Sequence, residues 1–293
     1  MITEGHLARH YQGRRGGRGP AIIDIAQDHL LHLLSREGIF NLGITLKGGT
    51  ALRKVWAGNA GRFSTDLDFA GFDDTSAAHL VAVVDGARVD QFTFGVEEIH
   101  GTQRMRLLIK SPFGETDVPA RLDLGRRPLW LRAQRMPFVP LPIHNRYAFP
   151  LPNIPVARIE ETIAEKLARY RRGSLARDLY DLAWVSARPF DEVLVRRLLA
   201  LKVWTDVADD GLGDRPFDPE EILRERSADE FKPEAIGYLT TPVDVYGWIE
   251  VIRDRFLFLR DLSEEEARWA QCVKADEWEV RQAIAQLGNR DSS

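Results

Sequence analysis

With 293 residues, 44% of them hydrophobic and 29% charged, the chain is long enough to bury a sizeable core and too evenly mixed to be fibrous or disordered. Its net charge of −4 gives no global pull towards nucleic acid. The single cysteine, Cys272, excludes an intrachain disulfide and fits a reducing cytoplasm, and no uncharged apolar run is long enough to span a bilayer.

Met1 to Pro20 carries basic residues without an apolar segment, so no secretory leader is expected. Within it, the Arg/Gly stretch Gly13 to Gly19 reads as disordered. Pro20 to Glu37 reads as a helix: Ile22, Ile23, Ala26, Leu30, Leu33 and Leu34 fall at helical spacing, Pro20 suits a first turn and Gly38 a stop. His29 and His32 lie in that core-facing helix, and the chain's seven histidines show no metal-ligand spacing, so a structural role is expected for them. A short strand is expected over Leu42 to Leu46, a short helix over Thr50 to Ala57, a strand over Asp66 to Ala70 and a helix over Ser76 to Arg88. Phe92 to Ile99 and Arg104 to Lys110 read as paired strands, with Ala120 to Leu124 a third. Six of the fifteen prolines lie between Pro137 and Pro155, which predicts an extended crossover that is neither helix nor central strand. From Val156 onward the patterns are helical: Val156 to Arg171, Ala176 to Ser186, Phe190 to Asp206, Pro242 to Leu262 and Ser263 to Leu287. Ser263-Glu264-Glu265-Glu266 has the form of a capping box. The expected class is α+β: a mixed sheet with flanking helices over 1–136, the Pro-rich crossover over 137–155, and a helical lobe over 156–293 that completes the active site.

Leu46-Lys47-Gly48-Gly49-Thr50 followed by Arg62-Phe63-Ser64-Thr65-Asp66-Leu67-Asp68-Phe69 carries the chemistry. Side chains two apart on a strand share a face, so Asp66 and Asp68 stand side by side while Leu67 and Phe69 turn inward. Adjacent carboxylates repel, and a divalent cation between them removes the repulsion. A Gly-Gly-Thr turn brings backbone N–H groups against phosphates. The pair could also be an exposed strand end, but acids are depleted in strands. The combination reads as a magnesium-dependent nucleotidyl-transfer site, with Gly48, Gly49 and Thr50 at the nucleotide and Asp66 and Asp68 at the metal. Ser64 either shares that face or stabilises the turn into the strand, and Lys54 either reaches a phosphate or is solvated. Asp123 alternates with apolar residues and is either a third carboxylate or the partner of Arg121. Lys166 lies in an amphipathic helix with Ile159, Ile163 and Leu167, while Asp178 and Asp181 are neighbours on one helical face. Two basic clusters, Arg121, Arg126, Arg127, Arg132 and Arg135, and then Lys166, Arg169, Arg171, Arg172 and Arg177, are either an RNA-seating face or solvated surface.

These motifs resemble the AbiEii/AbiGii-like branch, MenT-type toxins included, of the nucleotidyltransferase superfamily whose core is shared with DNA polymerase β. The similarity rests on Gly48-Gly49-Thr50, Lys54, Arg62-Phe63-Ser64-Thr65-Asp66-Leu67-Asp68, then Glu160-Glu161-Thr162-Ile163-Ala164-Glu165-Lys166 and Arg177-Asp178-Leu179-Tyr180-Asp181-Leu182, all in the expected order. The resemblance implies that Lys166 contacts the nucleotide's phosphates, that at least one of Asp178 and Asp181 is essential, and that Asp123 is the natural third metal ligand. It implies Mg2+-dependent transfer of a nucleoside monophosphate from an NTP to the 3′ end of tRNA, which blocks aminoacylation and translation in the cytoplasm. It also implies an antitoxin encoded alongside, commonly a DNA-binding repressor. Two rivals remain: a nucleotidyltransferase acting on a protein or small-molecule hydroxyl, and a catalytically inactive NTP-binding relative.

Overall fold

The computed structural model describes residues 1–12, 17–99, 104–114, 119–173, 175–213, 215–231 and 242–289. Residues 13–16 of the Arg/Gly stretch lie outside them. The chain divides into two compact units. The first is built from Met1–Leu129 and Ala133–Ala157, the second from Trp130–Arg132 and most of the chain after Arg158.

The first unit opens with α1 (Glu4–Tyr11) and α2 (Arg18–Arg36). Nearly every residue of α2 from Pro20 to Leu34 is buried, polar ones included, as expected of a helix that is apolar around most of its circumference. Gly38, at φ +75°, ends it in the left-handed conformation that glycine adopts without strain. The strand expected from Leu42 is shorter: Ile39–Leu42 is a 3-10 turn, and β1 covers only Thr45–Lys47. α3 (Gly48–Ala51) follows at once and runs into a π-helical stretch over Leu52–Ala57. β2 (Asp66–Ala70) has the expected bounds, with Leu67 and Phe69 buried and Asp66 and Asp68 half-exposed.

α4 (Asp74–Val84) is closed by a reciprocal cap in which Ser76 N–H donates to the Asp73 carboxylate at 2.7 Å and Asp73 N–H to the Ser76 hydroxyl at 2.9 Å. It ends before Arg88, because Gly86 turns the chain at φ +76° into β3 (Arg88–Val89). β4 (Phe92–Glu98), β5 (Arg104–Lys110) and β6 (Ala120–Gly125) form the expected antiparallel set. β7 (Gln134–Met136) and β8 (Ile154–Val156) complete a mixed eight-stranded sheet of order β3-β4-β5-β6-β2-β1-β8-β7.

β8 corrects the expectation that the Pro-rich segment holds no inner strand: Pro155 sits in a strand flanked by β1 and β7. The parallel pairing of β8 with β1 registers at Leu46↔Val156 alone, so proline's missing N–H falls where that ladder has ended. The same segment also holds a 3-10 turn over Pro142–Arg146.

The second unit is helical among its described residues: α5 (Ile159–Arg172), α6 (Ala176–Ser186), α7 (Glu192–Trp204), α8 (Glu220–Leu223), α9 (Val245–Arg255), α10 (Glu264–Ala270) and α11 (Glu277–Asn289). α5 starts three residues later than expected because Val156 belongs to β8. The expected helix from Ser263 is two helices, broken at Cys272, whose φ of +54° leaves the right-handed region. The Ser263 capping box is present: Ser263 N–H donates to Glu266 at 2.9 Å, and Glu266 N–H to Ser263 Oγ at 3.2 Å. Ile163, Leu167, Leu179, Leu182, Leu198, Trp204 and Trp269 are buried at the centre of the unit. Among the described residues no helix is long and apolar enough to cross a membrane.

Candidate active site

In the first unit three contacts lock the glycine turn to the carboxylate strand. The antiparallel register of β1 on β2 sets Lys47 opposite Asp68. Gly48 then turns at φ +74°, and a Cβ at that position would collide with the Asp68 carboxylate. Thr50, fully buried, donates its hydroxyl to the Asp66 carbonyl at 2.5 Å. A Cβ on Gly49 would strike the Arg62 guanidinium and come within 3.1 Å of Ser64 Oγ. Both glycines are therefore required by close approach, and the first also by its backbone angle. Ser64 is buried: its hydroxyl lies 3.5 Å from the Asp66 carbonyl and its own carbonyl accepts from Gln27 Nε2 at 2.9 Å, so it braces the entry into β2.

Asp66 and Asp68 are the residues that could hold a divalent cation. They are half-exposed carboxylates on one face of β2, two hard oxygen donors beside the glycine turn. Magnesium takes one or two protein carboxylates and completes its shell with water and phosphate oxygens, so this donor set fits it. Asp123 lies beside Asp68 in the parallel register of β6 on β2, but its Oδ2 accepts from Arg104 Nε at 3.0 Å. Among the described residues no three His, Cys, Asp or Glu groups converge as a metal's ligands. Asp123 is thus next to Asp68 on the sheet and engaged by Arg104.

Lys54 is placed differently from either alternative read in the sequence. It is neither solvated nor aimed at a phosphate. Its buried ammonium donates to Asp24 O at 2.6 Å and Asp24 Oδ1 at 2.7 Å, and pairs with Asp28 Oδ1 at 2.8 Å. Asp24 also accepts from Arg53 Nη2 at 2.9 Å and binds His10 Nε2 at 2.8 Å. Tyr147 donates to Asp28 at 2.6 Å. Burial opposes the charge on Asp24, but Arg53, Lys54 and His10 outweigh it and hold the carboxyl well below its usual range. The network ties the helical stretch after the glycine turn to α2. His29 is structural as expected, with Nδ1 2.9 Å from Ile25 O and its ring against Phe92, Tyr147 and Phe149.

In the second unit, Lys166 and the two aspartates meet. Lys166 Nζ donates to Asp178 Oδ1 at 3.1 Å and Asp181 Oδ2 at 2.7 Å, and Arg169 Nη2 reaches the same Asp178 oxygen at 2.7 Å. All three members of the Lys-Asp-Asp cluster are buried, and Asp178 Oδ2 has no hydrogen-bond partner among the described residues. Glu161, from the same motif, accepts the backbone N–H groups of Trp130 and Leu131 and the Lys202 ammonium, each at 2.9 Å. Burial alone would lower the Lys202 pKa, but Glu161 and Glu165 raise it. Neither Glu161 nor Lys47 was singled out from the sequence. Lys47 was detectable only through the β1–β2 register, and Glu161 only through its fully buried carboxylate. Of the second basic cluster, Arg169 pairs with Asp178, Arg171 with Glu221 and Arg172 with Asp206; of the first, Arg126 pairs with Asp74.

A family model for the nucleotidyl transferase AbiEii toxin, type IV toxin–antitoxin system, matches residues 32–249. The chain is similar to the solved structure of MenT4, a nucleotidyltransferase toxin from Mycobacterium tuberculosis H37Rv. The two are 45% identical with a TM-score of 0.92, over 98% of this chain and 100% of that one. A putative nucleotidyltransferase from H. pylori is 17% identical with a TM-score of 0.44, over 81% of this chain and 98% of that one, too distant to bear on the site. No curated protein sequence matches the chain. Its order of motifs and its match over most of its length therefore place the chain in the AbiEii family of nucleotidyltransferase toxins, components of type IV toxin–antitoxin systems that have an antitoxin as partner.

Proposed function

We propose that the chain moves a nucleoside monophosphate from an NTP to the 3′-terminal hydroxyl of tRNA, releasing pyrophosphate and stopping translation in the cytoplasm, and that its antitoxin is encoded nearby. One observation carries the reading: the Gly48–Gly49 turn closes directly on the strand bearing Asp66 and Asp68, where a side chain on Gly48 would displace the Asp68 carboxylate. Asp66 and Asp68 would hold a magnesium ion, whose chemistry when bound would be to neutralise triphosphate charge and lower the pKa of the acceptor hydroxyl. The backbone amides of the turn cradle the phosphates. Lys47, opposite Asp68, and Arg62, beside Gly49, supply the positive charge that the sequence assigned to Lys54. Lys166, Asp178 and Asp181 belong to the same proposal as residues needed for transfer: the two carboxylates hold a buried ammonium in one position, as a group acting on a phosphoryl oxygen requires.

The acceptor is the part of the reading that the ion pairs bear on. Arg126, Arg169, Arg171 and Arg172 are matched by acids, which weakens the case for a broad RNA-seating face. That favours a protein or small-molecule hydroxyl as the second reading. Incubation with each labelled NTP and magnesium, with total tRNA, total protein or neither, separates the two. Label on the tRNA 3′ end that disappears with Asp68→Asn supports the proposal. Label on protein or a small molecule alone replaces the acceptor, and no label under any condition indicates an inactive NTP-binding relative.

A further inference from the structure

A cavity of about 410 Å³ lies in the first unit between α1 and the Pro142–Arg146 turn. Its size falls in the range of about 300–1,000 Å³ typical of small-ligand sites. Its charged lining is of one sign. Arg9, Arg146, His6 and His10 line it, and no carboxylate does. Pro142 and Ile143 add an apolar wall. Arg9 and Arg146 make no ion pair among the described residues. The acids behind the cavity do not offset them either. Asp24 and Asp28, both buried, are already matched by Arg53 and Lys54.

The histidines have defined hydrogen-bonding ends. His6 Nδ1 accepts from the Thr3 backbone N–H at 3.1 Å, so a neutral ring carries its proton on Nε2, a donor. His10 Nε2 is bound to Asp24 at 2.8 Å. Desolvation first, and then the charges of Arg146 and Arg9, lower the pKa of His6.

We propose that this cavity binds a phosphate ester, either that of a free nucleotide or one from an RNA backbone. Two arginines present forked donors to phosphate oxygens, His6 adds a third donor, and Pro142 and Ile143 provide a surface for the attached ribose or base. The cavity shares no lining residue with those assigned to metal and triphosphate, so its test does not depend on transfer.

Calorimetric titration in EDTA, which silences magnesium-dependent triphosphate binding, reads the site directly. The probes are AMP, adenosine as the phosphate-free control, and a short single-stranded oligoribonucleotide. The proteins are wild type, Arg9→Gln/Arg146→Gln, and Asp68→Asn, all as full chains. AMP or RNA is expected to bind wild type and Asp68→Asn equally, with Kd raised at least tenfold in the arginine double variant, and adenosine to bind far more weakly. AMP binding without RNA binding assigns the site to a free nucleotide; RNA binding, or RNA that displaces AMP, assigns it to the backbone. Both arginines are exposed, so the fold should survive, and Arg9→Lys/Arg146→Lys should restore part of the affinity if it does. An unchanged Kd in the glutamine double variant, or no binding of any phosphate-bearing probe at millimolar concentration, overturns the proposal.

Discussion

Replacing Lys54 with methionine separates the two roles a lysine after the glycine turn can play. Methionine keeps the length of the stem and removes the charge. In the structure Lys54 donates to Asp24 at 2.7 Å and pairs with Asp28 at 2.8 Å, all within the buried interior. Removing one member of a buried ion pair leaves an uncompensated charge and costs about 3–5 kcal/mol. Asp28 gives an independent scale. Burial pushes its carboxyl up, but Lys54 and then His144, whose Nε2 lies 3.4 Å from Asp28 Oδ2, outweigh burial and bring it from 3.8 to about 2. At about 1.4 kcal/mol per pH unit that lowering is worth about 2 kcal/mol, which belongs inside the first figure and is not added to it.

The sign follows from linkage. A carboxyl lowered in the folded state stabilises it above the unfolded pKa of 3.8, and that stability is lost as pH falls towards 2. Without Lys54, burial dominates and the pKa of Asp28 rises, so the folded variant binds more protons than the unfolded chain. The variant should therefore gain stability as pH drops from 7 to 5, where wild type stays flat with respect to this group. A loss of 3–5 kcal/mol lowers Tm by about 6–20 °C in a protein of this size. Differential scanning calorimetry at pH 7 and pH 5 measures both effects. Below the variant's Tm, its KM for NTP should match wild type. Unchanged melting together with a tenfold rise in KM would refute the structural role and make Lys54 a phosphate ligand.

The remaining expectations concern the site itself. Asp66→Asn and Asp68→Asn should each abolish transfer and shift Tm by no more than a few degrees, since removing one of two repelling carboxylates relieves the fold; activity in either variant removes that residue from the metal. Gly48→Ala forces φ +74° on an alanine and a methyl group onto the Asp68 carboxylate, so transfer should fall at least tenfold while far-UV circular dichroism is retained. Lys166→Met should destabilise the second unit by about 3–5 kcal/mol, because it strands Asp178 and Asp181, and Lys166→Arg should restore stability better than activity; a Lys166→Met protein with wild-type Tm contradicts the cluster. If tRNA is the acceptor, reversing the exposed Arg121 and Arg132 to glutamate should weaken its modification and flatten the salt dependence by about 1.4–1.8 logarithmic units per decade of salt; an unchanged profile puts the RNA elsewhere.

Elements whose pattern is complete in a local window were legible in the sequence. Alternation over Asp66–Ala70 and Arg104–Lys110, and helical spacing over Ala176–Ser186, gave the observed bounds. β3, β7 and β8 were missed because strands of two or three residues carry no period, and long-range pairing makes them. Asp178 and Asp181 were placed on one helical face by their spacing, and Lys166 binds both. Lys54 could not be assigned, since its partners sit inside α2, a helix whose polar residues read as surface until their burial is seen. Lys47 and the Arg104–Asp123 pair come from strand register, which sequence spacing leaves open.

Three pairs of aspartates lie close together in the chain, at spacings of four, two and three, and their surroundings separate them. Asp24 and Asp28 are buried with Lys54 between them, and Asp178 and Asp181 are buried with Lys166 between them. In each case the chain supplies its own cation at the point where the two negative fields add. A lysine fixed there cannot be exchanged, so those pairs define packing first. Asp66 and Asp68 instead stand half-exposed on a strand, with Lys47 opposite Asp68 in the register and Gly48 packed closely against its carboxylate. Under the proposed function, a cation held by this pair would exchange with solvent, which a buried lysine cannot do. It follows that removing a buried lysine should be read first in melting temperature, whereas changing Asp66 or Asp68 should be read in turnover.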